Sequence, residues 1–120
     1  MNWEYIQHFT RDEFGHADGV VPDWDLVMRL EQAREIAGIP FVITSGLRSD
    51  EHNARVGGSP SSAHLTGNAV DIKCESSRHR MIMLEALIEA GFTRIGIGRN
   101  FIHVDNDGSK PANVCWLYDA

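Results

Sequence analysis

The chain has no apolar run near the roughly 18 consecutive residues that a membrane helix needs, which excludes insertion into a membrane by a helical span. Cysteine is scarce. Cys74 and Cys115 are the only two in 120 residues, too few for a disulfide framework; two buried free thiols are expected, pairing only in an oxidising compartment. Positive charge is also short: 11 Lys and Arg against 17 Asp and Glu leave a net charge of −6. A sequence-independent nucleic-acid binder needs a basic face to displace phosphate counterions, so nucleic acid is excluded as a partner. Repeats, linkers and low-complexity tracts are missing. The start, Met1-Asn2-Trp3-Glu4-Tyr5, lacks the basic residues and apolar stretch of a secretory signal, and the expectation is synthesis in the cytoplasm.

What is present is the composition of an ordinary globular protein, 42% hydrophobic and 23% charged. The length predicts one domain, residues 1–120, with its own core, expected as a monomer. Thr10-Arg11-Asp12-Glu13 has the form of a capping box and predicts a short helical turn before Gly15. Pro22 suits a helix start; Leu26, Leu30, Ala33 and Ala37 recur on one face, and Gly38 stops the helix. Phe41–Thr44 reads as a buried strand. Ser49 caps a short helix through about Val56, followed by turn residues from Gly57 to Ser62.

A second strand runs from Asn68 to Lys73. Ser77 caps the next helix, with Met81, Leu84, Leu87 and Ile88 expected inward and Gly91 as the stop. Three strands follow, Arg94–Ile97, Phe101–Asp105 and Val114–Tyr118, joined by turns at Gly98–Asn100 and Asn106–Gly108, the last two strands expected as a hairpin-like edge. The sum is an α+β fold, a small and mainly antiparallel sheet flanked by helices.

The chemistry concentrates in Ser62-Ala63-His64-Leu65-Thr66-Gly67-Asn68-Ala69-Val70-Asp71. His64 and Asp71 cannot sit side by side on one strand, but a bend at Gly67 folds the histidine back toward the strand carrying the carboxylate. Imidazole and carboxylate are good zinc ligands, and a catalytic zinc takes three protein ligands and keeps a fourth position open. His103, in Phe101-Ile102-His103-Val104-Asp105, is the third candidate. Period-2 alternation puts Phe101, His103 and Asp105 on one face and Ile102 and Val104 on the other. Singly, each has a plainer reading: a satisfied polar histidine, a strand-end aspartate. Their occurrence together, in order after Arg48, changes that. Cys74, three past Asp71, points to the other strand face, which favours an open site over a closed structural one.

These residues resemble the zinc D-Ala-D-Ala carboxypeptidase family, which includes D,D-dipeptidases and phage L-alanyl-D-glutamate endolysins. The resemblance covers about Phe9 to Asp105. It is carried by Ser45-Gly46-Leu47-Arg48-Ser49, by Glu51-His52-Asn53 with Val56-Gly57-Gly58, by the Ser-x-His-x-x-Gly-x-Ala-x-Asp run of Ser62–Asp71, and by Phe101–Asp105. The Ser62–Asp71 run is the specific part.

The resemblance implies a fold like that of hedgehog domains and D-Ala-D-Ala peptidases. It also implies one zinc ion per chain, held by His64, Asp71 and His103. Arg48 falls where the family places an arginine that positions substrate and polarises the scissile carbonyl, and a guanidinium fork suits that task. Ser62 falls where a serine binds substrate. One position departs from the pattern. Where several branches carry an acidic base three residues before the last histidine, this chain has Asn100; where others carry a histidine two before it, this chain has Phe101. Asp105 then has three readings: general base, partner that orients a ligand, or strand-end aspartate bonding the Asn106–Gly108 turn.

The implied activity is hydrolysis in the peptidoglycan stem peptide, at the L-Ala–D-Glu or the D-Ala–D-Ala bond, with Arg48 steadying the oxyanion. The short chain without a leader resembles a phage-type lysis enzyme acting at the bacterial cell wall, which tilts the choice toward the endopeptidase. The alternative is a non-catalytic zinc-containing binding module on the same fold, the reading that Asn100 favours.

Overall fold

Asp23 decides where the first long helix begins. In the computed structural model, which describes residues 2–118, its carboxylate accepts the Leu26 N–H at 3.1 Å and satisfies one of the helix's orphan donors. Helix α1 runs Trp24–Ala37, two residues later than a start at Pro22, and Gly38 ends it at φ 68°, a left-handed conformation without penalty for glycine. Leu26, Leu30 and Ala33 turn inward together with Val27, and Ala37 packs at the margin of the core.

The expected strand at Phe41–Thr44 is displaced. Strand β1 is Ile43–Ser45 and lies at one edge of the sheet, so it is only partly covered, although Phe41 just before it is buried. Ser49 caps helix α2, Asp50–Arg55, its hydroxyl accepting the His52 N–H at 3.1 Å. A 3-10 turn, Ala63–Thr66, leads to strand β2, Ala69–Lys73. Helix α3, Ser77–Glu89, is capped by Ser76, one residue before the expected Ser77. Its inward side also differs from expectation. Met83, Ala86 and Leu87 are buried, while Met81 and Ile88 are exposed and Leu84 packs at the core's margin. Apolar residues occupy two adjoining stripes of α3, and packing against α1 selects the stripe through Met83 and Leu87.

Strands β3, Arg94–Ile97, and β4, Phe101–Asp105, form a hairpin closed by the Gly98 N–H on the Phe101 carbonyl at 2.9 Å. The last strand corrects the sequence reading. β5, Val114–Leu117, is not the hairpin partner of β4; it pairs parallel with β3. Both edges of β4 are already filled, by β2 and β3, and the chain takes the free edge of β3 instead. The sheet order is β1-β2-β4-β3-β5, antiparallel except for the β3–β5 pair. Its class is α+β, a five-stranded, mostly antiparallel sheet with three α-helices.

Helices α1 and α3 bury Leu26, Leu30, Met83 and Leu87 against Val70, Ile72, Ile102 and Val104 of the sheet. Each fully buried aliphatic of this kind contributes roughly 1.5–3 kcal/mol. Covering one sheet face leaves the alternate side chains of β2 and β4 pointing the other way, where the chemistry lies. Cys74 is buried in the core, whereas Cys115, also expected to be buried, is exposed, because alternate residues of the outer strand β5 are left uncovered. Among the described residues no helix is long and apolar enough to cross a membrane. Met1, Asp119 and Ala120, which complete the expected 1–120 unit, lie outside the described residues.

Candidate metal centre

Register puts Asp71 of β2 directly opposite His103 of β4. Their neighbours Val70, Ile72, Ile102 and Val104 face the helices, so strand alternation sends Asp71, His103 and Asp105 to the opposite side. His64 arrives by another route. Its 3-10 turn ends at Gly67 with φ 78°, and a Cβ there would lie 2.3 Å from the Val21 carbonyl oxygen. Only glycine fits both conditions, and the bend returns the imidazole to the strand.

The three side chains converge, with one donor atom from each within 4.8 Å of the other two. Asp71 Oδ1 lies 3.0 Å from His103 Nδ1 and 3.3 Å from His64 Nε2. Ligands about 2.0–2.1 Å from a tetrahedral zinc stand about 3.3 Å apart, so these separations suit a shared ion. The hydrogen bonds on the far side of each ring suit it too. His64 Nδ1 lies 2.8 Å from the Gly46 carbonyl, which can only accept; the proton therefore sits on Nδ1, and Nε2 offers its lone pair. His103 Nε2 lies 2.7 Å from Asp105 Oδ2, which holds the proton on Nε2 and frees Nδ1. Such outer partners set ring orientation and ligand basicity.

Burial opposes ionisation of Asp71, but in the metal-free site His103 and His64, which can donate to it and carry charge when both ring nitrogens are protonated, hold its carboxyl far below the usual carboxylate range. Burial alone would push His103 down; Asp105 and Asp71 outweigh it, and the imidazole titrates above its ordinary value. Asp105 is desolvated as well, yet His103, the Asp107 N–H and Arg94 keep it ionised below the ordinary range. Two imidazoles beside well-ionised carboxylates, nearly closed off from water, form a donor set suited to a divalent cation.

The group floors a cleft of about 390 Å³ lined by Arg48, Ser62, Arg94, Lys110, Trp116 and Tyr118 among others. Arg48 Nη2 reaches Asp71 Oδ2 at 3.4 Å, while its other nitrogens donate to Ser45 and Asn53. Ser62 caps the 3-10 turn by accepting the His64 N–H at 3.2 Å. Asp105 is 2% exposed, one oxygen on His103 and the other 2.7 Å from Arg94 Nε. It also accepts the Asp107 N–H at 3.1 Å, so its positions beside a candidate ligand and at the start of the turn coexist. Asn100 is exposed in the β3–β4 turn, its carbonyl taken by the Cys74 N–H. His8 and His16 lie elsewhere, paired with Glu35 and Asp12.

With this geometry in view, the comparison with protein families is direct: the model described as Peptidase M15 matches residues 6–105. The chain belongs to the peptidase M15 family. No curated protein matches it. M15 peptidases are metallopeptidases, and in this member the buried His64 and His103 and the partly buried Asp71 form a group that can bind a metal.

Four residues of this M15 site lie outside the sequence reading of chemistry. Asn53 is buried; it accepts from Arg48 and donates to the Ser59 carbonyl at 2.8 Å, tying the arginine to the loop above the cleft. Arg94 donates to Asp105 and to the Pro111 carbonyl. Trp116 lies on β5 and Tyr118 just past its end, and their i, i+2 spacing was the available signal that both rings share a face.

Gly46 links fold and site. A Cβ on it would lie 2.3 Å from the Phe14 carbonyl oxygen, and its own carbonyl holds His64. Gly46→Ala is expected to cost about 1–3 kcal/mol, the usual range for overpacking, and to weaken metal binding. Urea unfolding and a zinc titration would measure the two effects.

Proposed function

We propose that this M15 peptidase is a zinc enzyme of the bacterial cell wall, hydrolysing a peptide bond of the peptidoglycan stem peptide as a monomer with one zinc per chain. The supporting observation is the convergence of His64, Asp71 and His103 on a cleft floor, each histidine holding its proton on the nitrogen away from the shared point. Zinc, when bound there, supplies Lewis acidity toward water and the peptide carbonyl.

The chain's own residues supply placement. Arg48, fixed at the cleft by Ser45 and Asn53, offers its guanidinium to the substrate carbonyl or a neighbouring carboxylate. The Ser62 hydroxyl, occupied only as an acceptor at His64, has its proton free for substrate. Asp105, with both oxygens engaged, orients His103 and does not shuttle protons in this reading. Lys110 bridges the cleft mouth, Nζ at 2.7 Å from the Ser61 carbonyl. Together with Arg48 it gives an acidic chain a cationic rim, which suits the carboxylates of a stem peptide.

Incubation with purified sacculi tests the reading. New amino termini identified by mass spectrometry are expected, from L-Ala–D-Glu cleavage or, with released D-alanine, from D-Ala–D-Ala cleavage. Chelation should abolish the activity and zinc should restore it. An inert protein that nevertheless holds zinc would replace this proposal with the non-catalytic binding module.

A further inference from the structure

The sheet carries one row of residues across all five strands on the cleft side: Ser45, Asp71, His103, Gly96 and Trp116, each paired with the next. The first three belong to the arginine and metal side of the site. The other two build a wall that the proposed reading leaves unused. A Cβ on Gly96 would stand 2.6 Å from Trp116 Nε1 and 2.5 Å from Tyr118 Cε2, so glycine here is what lets both rings lie on the sheet beside His103. Their centroids are 5.6 and 6.3 Å from that imidazole.

The rings are held. The Arg94 guanidinium stands 5.0 Å from the Trp116 ring. Tyr118 is flanked by Phe101 at 5.0 Å, and its N–H donates to the Ile97 carbonyl at 2.9 Å. Tyr118 also lines the cleft that holds Arg48, Ser62 and the ligand group. Burial first, then the charges of Asp71 and Asp105, push the phenol above its ordinary value. The neighbouring Trp116 indole, its ring centroid 6.2 Å from that of Tyr118, carries only a donor, so it does not take up the phenolic proton. Arg48 is held by Ser45, Asn53 and Asp71, and Asp105 by Arg94 and His103, so Tyr118 adds a neutral donor beside the guanidinium and the Ser62 hydroxyl.

We propose that Tyr118 is a catalytic residue whose hydroxyl donates a hydrogen bond to the oxyanion developing on the scissile carbonyl, with Gly96 and Trp116 placing its ring. The inference rests on the peptidase reading. No proton leaves the tyrosine; its O–H, on a ring that lines the cleft, strengthens its bond as negative charge builds on the carbonyl oxygen. A preorganised donor of this kind is worth about a hundred- to a thousandfold in kcat.

Tyr118→Phe removes the oxygen and keeps the ring packing. For the zinc-loaded variant, kcat on the stem peptide is expected to fall about a hundredfold with KM unchanged, the pattern of an interaction made only in the transition state. Affinity for a phosphinate analogue of the cleaved dipeptide, measured by calorimetry, should fall by the same factor, while zinc content and Tm match wild type. Full kcat and full phosphinate affinity in Tyr118→Phe, beside an active wild type, would overturn the inference and leave the peptidase reading standing. A rise in KM alone would also overturn it, by making Tyr118 a ground-state contact. An inert wild type with zinc bound would overturn the peptidase reading itself, and the role of Tyr118 with it.

Discussion

Asp71→Ala is expected to strip the metal from the protein and to lower peptide hydrolysis by at least about a thousandfold. Asp71 is the only carboxylate in the ligand group, with Oδ1 set between His103 and His64 at 3.0 and 3.3 Å. Its other oxygen faces Arg48 at 3.4 Å. Alanine would leave a cation site made of two imidazoles beside an uncompensated guanidinium, a repulsive field for any divalent ion. Losing the several kcal/mol that a metal contributes to a transition state corresponds to about three decades in rate. Metal analysis after dialysis and a hydrolysis assay on the same sample would check it; retained stoichiometric zinc would refute the ligand set. Asp71→Asn, keeping shape and one oxygen, should fall between wild type and alanine.

Asp105→Asn separates the two chemical readings of that residue. With one oxygen on His103 and the other on Arg94, Asp105 has both oxygens engaged and fixes the His103 tautomer. The expected result is a ten- to hundredfold fall in zinc affinity, with much of the activity recovered at saturating zinc. A residue acting as general base would behave otherwise: kcat would fall by about 10²–10⁴ at unchanged zinc affinity. Competition with a calibrated chelator, run beside the rate assay, distinguishes the patterns. The first outcome keeps Asp105 as the group that orients His103; the second moves it into the reaction.

Much of the site was legible because strand alternation is local. Whatever β4 pairs with, Phe101, His103 and Asp105 share one face and Ile102 and Val104 the other, and the apolar pair identifies the core side. The bend at Gly67 was likewise written in residue type, since the φ of 78° found there is one that few other residues adopt. The α3 face was not legible in the same way. Met81, Leu84 and Ile88 form as regular a stripe as Met83 and Leu87, and periodicity cannot choose between two apolar stripes when a second helix makes the choice. The Phe41 region erred for a related reason: a β-branched run predicts a strand without saying that the strand will be an edge.

The amino-acid sequence by itself determined the kind of chemistry available: the His, Asp and His donors, the glycine that turns one of them back, and the apolar alternation that gives β2 and β4 two unlike faces. Each of these depends on residues within a few positions of one another. Only the tertiary structure decided what surrounds those donors. The partner of β5 was settled by which strand edge remained open once β2 and β3 had taken both sides of β4. That long-range outcome brought Trp116 and Tyr118 over Gly96, beside His103. Pairing across a sheet depends on which edges are vacant and how loops span them, and no local spacing encodes that.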